Sequence, residues 1–120
     1  FKKWYQNYSS IIKPNITIED FLKTDIRTGT IISAEILRNS FSLVHLNIDF
    51  GFKQLTSVVP IGHSIQLDSL IGQKICAVIN VPVIEFNGIT SECRVLTSES
   101  QEGSFVFHHA EKLGNGFIVK

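Results

Sequence analysis

The clearest pattern in this chain is an alternation of apolar and polar residues that begins near residue 27. In the segment LVHLNIDF, residues 43–50, four apolar side chains share one face and three polar side chains share the other. Gly51 then marks a tight turn into FKQLTSVV. The segment KICAVIN, residues 74–80, is apolar on both faces, which predicts a central buried strand.

Shorter elements surround these strands. Residues 17–24, TIEDFLKT, predict a short helix that Thr17 caps at the Asp20 amide, with an apolar face of Ile18, Phe21 and Leu22. The segment LDSLIG predicts one helical turn ended by Gly72. Further strands are predicted in TSECRVLT, SFVFHH and FIVK, with loops at 82–88 and 98–103.

Many short strands separated by turns, with one short helix partway, predict an all-β fold, either a small antiparallel barrel or a sandwich. The 120 residues suffice for one domain, which we assign to residues 16–120. Residues 1–15 are aromatic and basic but have no clean period. They are either an arm that packs on the domain or a partner, or a poorly ordered terminus.

The charges of the chain cancel, since 11 basic and 11 acidic residues give a net charge of +0. This excludes the broad positive field of a typical nucleic-acid binder, so any RNA partner would meet a local patch. Two cysteines and no visible signal peptide indicate a reducing, cytoplasmic compartment with free thiols, although a bridge between them stays an alternative. No apolar run is long enough to predict a membrane-spanning helix.

The segment TSECRV places a cysteine between an acid and a base, which raises the question of a catalytic nucleophile. In a strand, Ser91 and Cys93 share one face, whereas Glu92 and Arg94 point to the other. An activated cysteine needs a histidine or another cation beside it, and none is adjacent in sequence. We therefore predict that Cys93 is a buried structural thiol.

No other motif indicates chemistry. His108 and His109 face opposite sides of a strand, and no histidine has ligand spacing with a cysteine, so we expect no metal. The GNG segment at 114–116 lacks the lysine and helix of a phosphate-binding loop. We expect a protein that is not an enzyme and carries no cofactor. The polar groups on strands form either a solvated surface or a hydrogen-bonding face for nucleic acid, and composition leaves both open; they are Lys53, Gln54, Thr56, Ser57 and Asn80.

Five segments, in this order, resemble the tRNA-binding domain family: IEDFLKTDIRTGTIISAEIL, LNIDFG, TSVVP, LIGQKICAVIN and GITSECRVL. This family is an OB-fold module found in free-standing tRNA-binding proteins, in CsaA-type export chaperones and appended to methionyl-tRNA synthetases. NIDFG is similar to the CsaA-type branch, whereas TSVVP and TSEC are similar to the free-standing branch. The sequence therefore does not assign the chain to one of these two branches.

The resemblance implies a five-stranded OB-fold barrel with a short N-terminal helix and C-terminal extension strands, commonly a homodimer, with no catalysis and no cofactor. It also implies tRNA as the partner. Asp25 and Arg27 match the family too, but we expect them to be structural, because they lie at the junction between the helix and the first strand. The positions that match RNA contacts are Lys53, Thr56, Ser57, Asn80, Ser91 and Glu92, and we add Arg94 as a phosphate contact.

The chain departs from the family where positive charge is usual. The loop before TSEC contains VPVIEFNG, with no basic residue, and Ser42 replaces a common lysine before Leu43. Losing phosphate contacts weakens RNA binding. Apolar loop residues take their place and are candidate contacts for unfolded peptides or a partner; they are Phe41, Val83, Ile84 and Phe86.

Three hypotheses follow. The first is a homodimer that binds tRNA or other structured RNA without chemistry, with phosphate contacts from Lys53, Arg94 and the Lys2–Lys3 arm and with base stacking on Phe52 or Phe86. The second is a CsaA-type chaperone that binds peptides. The third is an RNA-binding domain appended to an aminoacyl-tRNA synthetase or another larger assembly, which the start at Phe1 suggests.

Overall fold

The computed structural model describes residues 10–37, 43–60, 66–86, 88–99 and 105–120. Phe41 and the Lys2–Lys3 pair therefore lie outside the described residues, and the assignment of residues 1–15 as an arm stays a prediction. The elements in chain order are α1 (Ile18–Leu22), β1 (Ile26–Ile36), β2 (Leu43–Asp49), β3 (Gln54–Pro60), a 3₁₀ turn (Leu67–Ser69), β4 (Lys74–Val78), β5 (Ile84–Phe86), β6 (Ile89–Ser91), β7 (Arg94–Val95), β8 (Thr97–Glu99), β9 (Phe105–Phe107) and β10 (Ile118–Val119).

The fold is an all-β barrel of five strands in the order β3-β2-β1-β4-β7. All of the pairs are antiparallel, and β1 is long enough to contact β2, β4 and β10 along its length. The register between β1 and β2 shifts between Ile31 and Ser33. Such an irregularity bends and twists a strand, which lets one sheet curl into a barrel.

Alternation along the strands fills the barrel interior as predicted. Val44, Leu46 and Ile48 on β2 are buried, and they join Ile31, Ile75 and Phe107 in one continuous core. Gly51 has φ of +89°, a conformation that glycine adopts without strain, and it makes the tight turn between β2 and β3. The predicted turn before β4 is also confirmed, since the 3₁₀ turn is followed by Gly72 with φ of +91°.

The predicted N-terminal helix and its cap are confirmed. The Thr17 hydroxyl accepts a hydrogen bond from the Asp20 amide at 3.0 Å. The apolar face of α1 does not pack on the core, however: no residue of the helix is buried, and Ile18 is 72% exposed. The helix has only five residues, and its apolar face lies exposed in the single chain.

Three predicted elements were wrong in their bounds. The segment TSECRVLT is not one strand but parts of β6, β7 and β8, because the chain changes sheet at Glu92 and again at Leu96. The predicted loop at 82–88 contains β5, which pairs with β6 to form a hairpin. The predicted loop at 98–103 begins inside β8, which pairs with β9.

The C-terminal segment packs against the start of β1. The Thr28 hydroxyl donates to the Gly114 carbonyl at 2.8 Å and accepts from the Phe117 amide at 3.0 Å. Gly116 has φ of +82°, and a Cβ there would lie 2.7 Å from the Phe50 carbonyl oxygen. A side chain at this position would therefore displace the segment that holds β10 against β1. Within the described residues, no helix is long and apolar enough to cross a membrane.

Candidate nucleic-acid and peptide interface

The barrel is nearly closed, and its seam lies between β3 and residues 90–93. Strand β3 pairs with β2 along one edge, and its other edge meets the chain between β6 and β7. The Thr56 carbonyl accepts from the amides of Glu92 and Cys93 at 2.8 and 3.1 Å. Hydrogen bonds made by side chains join the rest of the seam. These side chains belong to Thr56, Ser57, Ser91 and Glu92, which the sequence analysis assigned to RNA binding.

Thr56 and Glu92 form the exposed half of the seam. The Glu92 carboxylate accepts hydrogen bonds at 3.0 Å from both the backbone amide and the hydroxyl of Thr56. The single proton of the Thr56 hydroxyl is shared between this carboxylate and the Thr90 carbonyl oxygen, which lies 2.9 Å from the hydroxyl. The two side chains therefore hold the strands together, and the carboxylate brings a negative charge to this surface.

Ser57 and Ser91 form the buried half of the seam. The Ser57 hydroxyl, with only 1% of the residue exposed, donates to the Cys93 carbonyl at 2.9 Å. The Ser91 hydroxyl accepts from the Val58 amide at 3.0 Å. Both hydroxyls thus have partners inside the protein, and their role in RNA binding stays a prediction.

Cys93 packs in the core beneath these serines. Burial, with a smaller contribution from the charge of Glu92, raises the pKa of its thiol to about 12. A thiol with so high a pKa is not an activated nucleophile at neutral pH. Cys76 is also a free cysteine, and burial raises the pKa of its thiol.

The other three predicted RNA contacts make none of the hydrogen bonds of the seam. Lys53 is exposed in the turn that precedes β3, and Arg94 is exposed at the start of β7. Asn80 clamps the end of β4 to the helix: its side chain accepts from the Asp25 amide at 2.8 Å and donates to the Lys23 carbonyl at 2.6 Å. The structure therefore joins four of the seven predicted residues at the seam, whereas Lys53, Asn80 and Arg94 lie outside that hydrogen-bonded group.

Arg27 and Asp25 have the structural position expected for them. The Arg27 guanidinium contacts the Asp25 carboxylate at 2.6 Å and donates to the Gly116 carbonyl at 3.1 Å. It also lies 5.2 Å from the centre of the Phe52 ring, within the range of a cation–π contact. Phe52 is nevertheless 59% exposed, so part of its ring surface is open to solvent.

An apolar groove of about 630 Å³ opens beside the seam. One wall is the end of β3, including Val58 and Pro60, and the other is the β5–β6 hairpin with Ile84 and Phe86. Arg94 lines it as well. Of the predicted peptide contacts, the groove thus contains Ile84 and Phe86, whereas Val83 is exposed outside its lining.

Sequence reasoning missed several groove residues. Pro60, Val81, Pro82 and Thr97 are brought together from three parts of the chain. A proline that ends an edge strand, followed later by a Pro-containing apolar loop, is the signal that points to them. Within the described ranges, no group of three or more histidine, cysteine or acidic residues is placed to hold a metal ion.

A nearly closed, antiparallel barrel of five strands belongs to the class of OB-like folds, which bind oligonucleotides on a strand face and its loops. The family model described as "Putative tRNA binding domain" matches residues 26–116, from the start of β1 to the C-terminal segment. The chain therefore belongs to the tRNA-binding domain family.

Comparisons with individual proteins agree with this assignment. The chain is 34% identical over 110 residues to a methionine–tRNA ligase of Porphyromonas gingivalis. The aligned segment covers 91% of this chain but only 16% of the ligase. The fold superposes on the MetRS-related protein from Pyrococcus horikoshii with a TM-score of 0.82 and 25% identity, covering 90% of this chain and all of the other. It superposes on the chaperone CsaA of Bacillus anthracis strain Ames with a TM-score of 0.79 and 34% identity, covering 89% of this chain and 100% of CsaA.

Proposed function

We propose that the chain is a non-catalytic module that binds tRNA on the outer surface along the seam. Membership of the tRNA-binding domain family over residues 26–116 carries this proposal. It is supported by exposed cations at Lys53, in the turn before β3, and at Arg94, at the start of β7, and by the open part of the Phe52 ring. Such a combination suits backbone phosphates and unstacked bases.

The charge balance sets the strength expected of this binding. Glu92 brings a negative charge to the seam, and the whole chain carries a net charge of +0. Because phosphate contacts supply most of the non-specific affinity, we expect binding that depends on few cations and on the shape of the RNA. The proposal of tRNA as the ligand goes together with the cytoplasmic location that we predict from the sequence.

A homodimer is part of this proposal. Ile16, Ile18 and Leu22 are exposed at or next to α1, and Phe117 and Ile118 are exposed at the end of the chain that pairs with β1. Exposed apolar residues gathered near one end of β1 are typical of an association surface. Pairing two chains there would double the number of cations available to one RNA.

Filter-binding titration of tRNA across salt concentrations tests the proposal. We expect submicromolar affinity at low salt, and a log–log plot of affinity against salt with a clear negative slope, because bound phosphates release counterions. Flat binding at the millimolar level would contradict it. A duplex RNA of equal length is the control for shape.

A second candidate function is peptide binding, and the apolar groove favours it. Its walls at Val58, Pro60, Ile84 and Phe86 are suited to aliphatic side chains of an extended, unfolded segment. We expect the chain to suppress aggregation of an unfolded client, and Phe86→Ser to weaken that protection. If the variant protects the client as well as the parent does, the hairpin is not the binding site.

A third arrangement concerns the length of the protein. The chain spans about one sixth of the methionine–tRNA ligases that it matches, whereas it spans all of the CsaA structure. The domain would supply tRNA affinity to a synthetase in the first case and would act alone in the second. Sequencing the full gene distinguishes the two arrangements directly.

A further inference from the structure

The groove beside the seam has a charge on its rim as well as apolar walls. Arg94 lines it and is exposed, and among the described residues no ion pair engages its guanidinium. By contrast, the neighbouring Glu92 carboxylate is occupied by two hydrogen bonds from Thr56. Glu99 is the other charged residue that lines the groove, and it already has a partner within the protein. An apolar groove in which Arg94 is the charged residue left for a ligand is complementary to an apolar segment that carries an anion.

The edge of β3 leaves few backbone donors for a ligand in this groove. The Val58 amide already donates to the Ser91 hydroxyl at 3.0 Å. Pro60, which ends the strand, has no amide hydrogen. A docked strand would therefore gain little from backbone pairing with this edge, and its selection depends on side chains that meet the walls and Arg94.

The walls favour a peptide over a nucleic acid as the occupant. They are mainly aliphatic, with Val58, Pro60, Pro82 and Ile84, and Phe86 is the aromatic side chain among the lining residues. Single-stranded nucleic acids are held by successive aromatic platforms and by a row of cations, whereas Arg94 is the one cation that lines this groove within the described residues. One cation and an aliphatic channel match one carboxylate beside a run of apolar side chains.

We infer that the groove selects extended peptides in which an aspartate, a glutamate or the terminal carboxylate directly flanks an aliphatic run, with the carboxylate paired to Arg94. This rests on the peptide-binding function proposed above and names its ligand class. A guanidinium suits this role because its planar donors match a carboxylate in two-point geometry. The aliphatic run fills the channel between the end of β3 and the hairpin.

Three fluorescein-labelled peptides with one Val-Ile-Val core, flanked by Glu, Gln or Lys, test the inference by fluorescence anisotropy. With the parent protein at low salt we expect the Glu peptide to bind about fivefold tighter than the Gln peptide, and the Lys peptide to bind weakest. Arg94→Gln should remove this ranking while the Gln peptide keeps its affinity. The ranking should also shrink at high salt, because the pair is near solvent.

Lys112→Gln is the matched control, because it removes one exposed positive charge outside the groove lining. It should leave the ranking unchanged. An equal affinity for all three peptides, or a ranking that survives in Arg94→Gln, would overturn the selection of a carboxylate while leaving peptide binding intact. No measurable binding of any peptide would overturn the proposed peptide function itself. If Arg94→Gln weakens tRNA binding and leaves the peptide ranking unchanged, Arg94 serves the RNA surface and the inference is wrong.

Discussion

The carboxylate of Glu92 accepts two hydrogen bonds from Thr56, one from the backbone amide and one from the hydroxyl, at 3.0 Å each. Thr56 lies in the middle of β3, and Glu92 lies between β6 and β7. This pair therefore joins the two edges of the barrel where a continuous backbone ladder is missing. Its first role is to close the barrel.

Glu92→Ala is accordingly expected to destabilise the fold. It leaves the Thr56 amide without its charged acceptor, while the Thr56 hydroxyl keeps the Thr90 carbonyl, and losing the acceptor of a partly buried amide costs about 1–3 kcal/mol. Urea unfolding followed by circular dichroism measures the change in the free energy of unfolding. Glu85→Ala, on the exposed side of β5, is the matched control and should change stability by less than about 0.5 kcal/mol. Equal stability of the two variants would show that the seam does not depend on this carboxylate.

The buried thiol of Cys93 gives a prediction about pH. Its pKa is raised to about 12 in the folded protein, so folding favours the neutral thiol. The unfolded chain loses this proton near its ordinary pKa of about 9. The contribution to stability is therefore complete below that value and is lost as pH rises toward the folded pKa.

The burial of Cys93 also predicts its rate of alkylation. At pH 8, iodoacetamide is expected to label Cys76, which is half-buried, well before Cys93. In denaturant both should be labelled at similar rates. Mass spectrometry of digested samples over time measures the two rates, and prompt labelling of native Cys93 would contradict its placement in the core.

The exposed face of α1 predicts the oligomeric state. Ile18→Glu should shift the protein from dimer to monomer and leave the barrel folded, because Ile18 is 72% exposed in the single chain. Analytical ultracentrifugation measures the shift, with Glu19→Gln, on the same exposed helix, as control. A parent chain that sediments as a monomer at high concentration would contradict the proposed association surface.

How far the sequence predicts this structure differs between strands and loops. The alternation in 43–50 predicted β2 correctly, because one buried face forces a period of two. The helix cap at Thr17 was equally local and is confirmed. The hairpin of β5 and β6 was missed, because its three-residue strands carry little periodicity and Val83 and Ile84 are exposed.

The site shows the same division. The resemblance identified Thr56, Ser57, Ser91 and Glu92 together with Lys53 and Asn80, and the structure joins only the first four of these directly. It did not predict that their hydrogen bonds are made with each other and with the backbone, since such partners depend on how β3 meets residues 90–93. The groove could likewise not be predicted from the sequence, because its walls come from segments that are far apart in the chain.

The most direct test of the account compares the salt dependence of tRNA binding for the parent and for Lys53→Gln. Lys53 is an exposed cation of the proposed RNA surface, so losing it should weaken binding to all tRNAs similarly and reduce the magnitude of the log–log salt slope by about one. Lys112→Gln is the control for charge alone, and its slope should match that of the parent. The account predicts a slope that is smaller for Lys53→Gln only; identical slopes for all three proteins, or binding that ignores salt, would contradict tRNA binding at this surface.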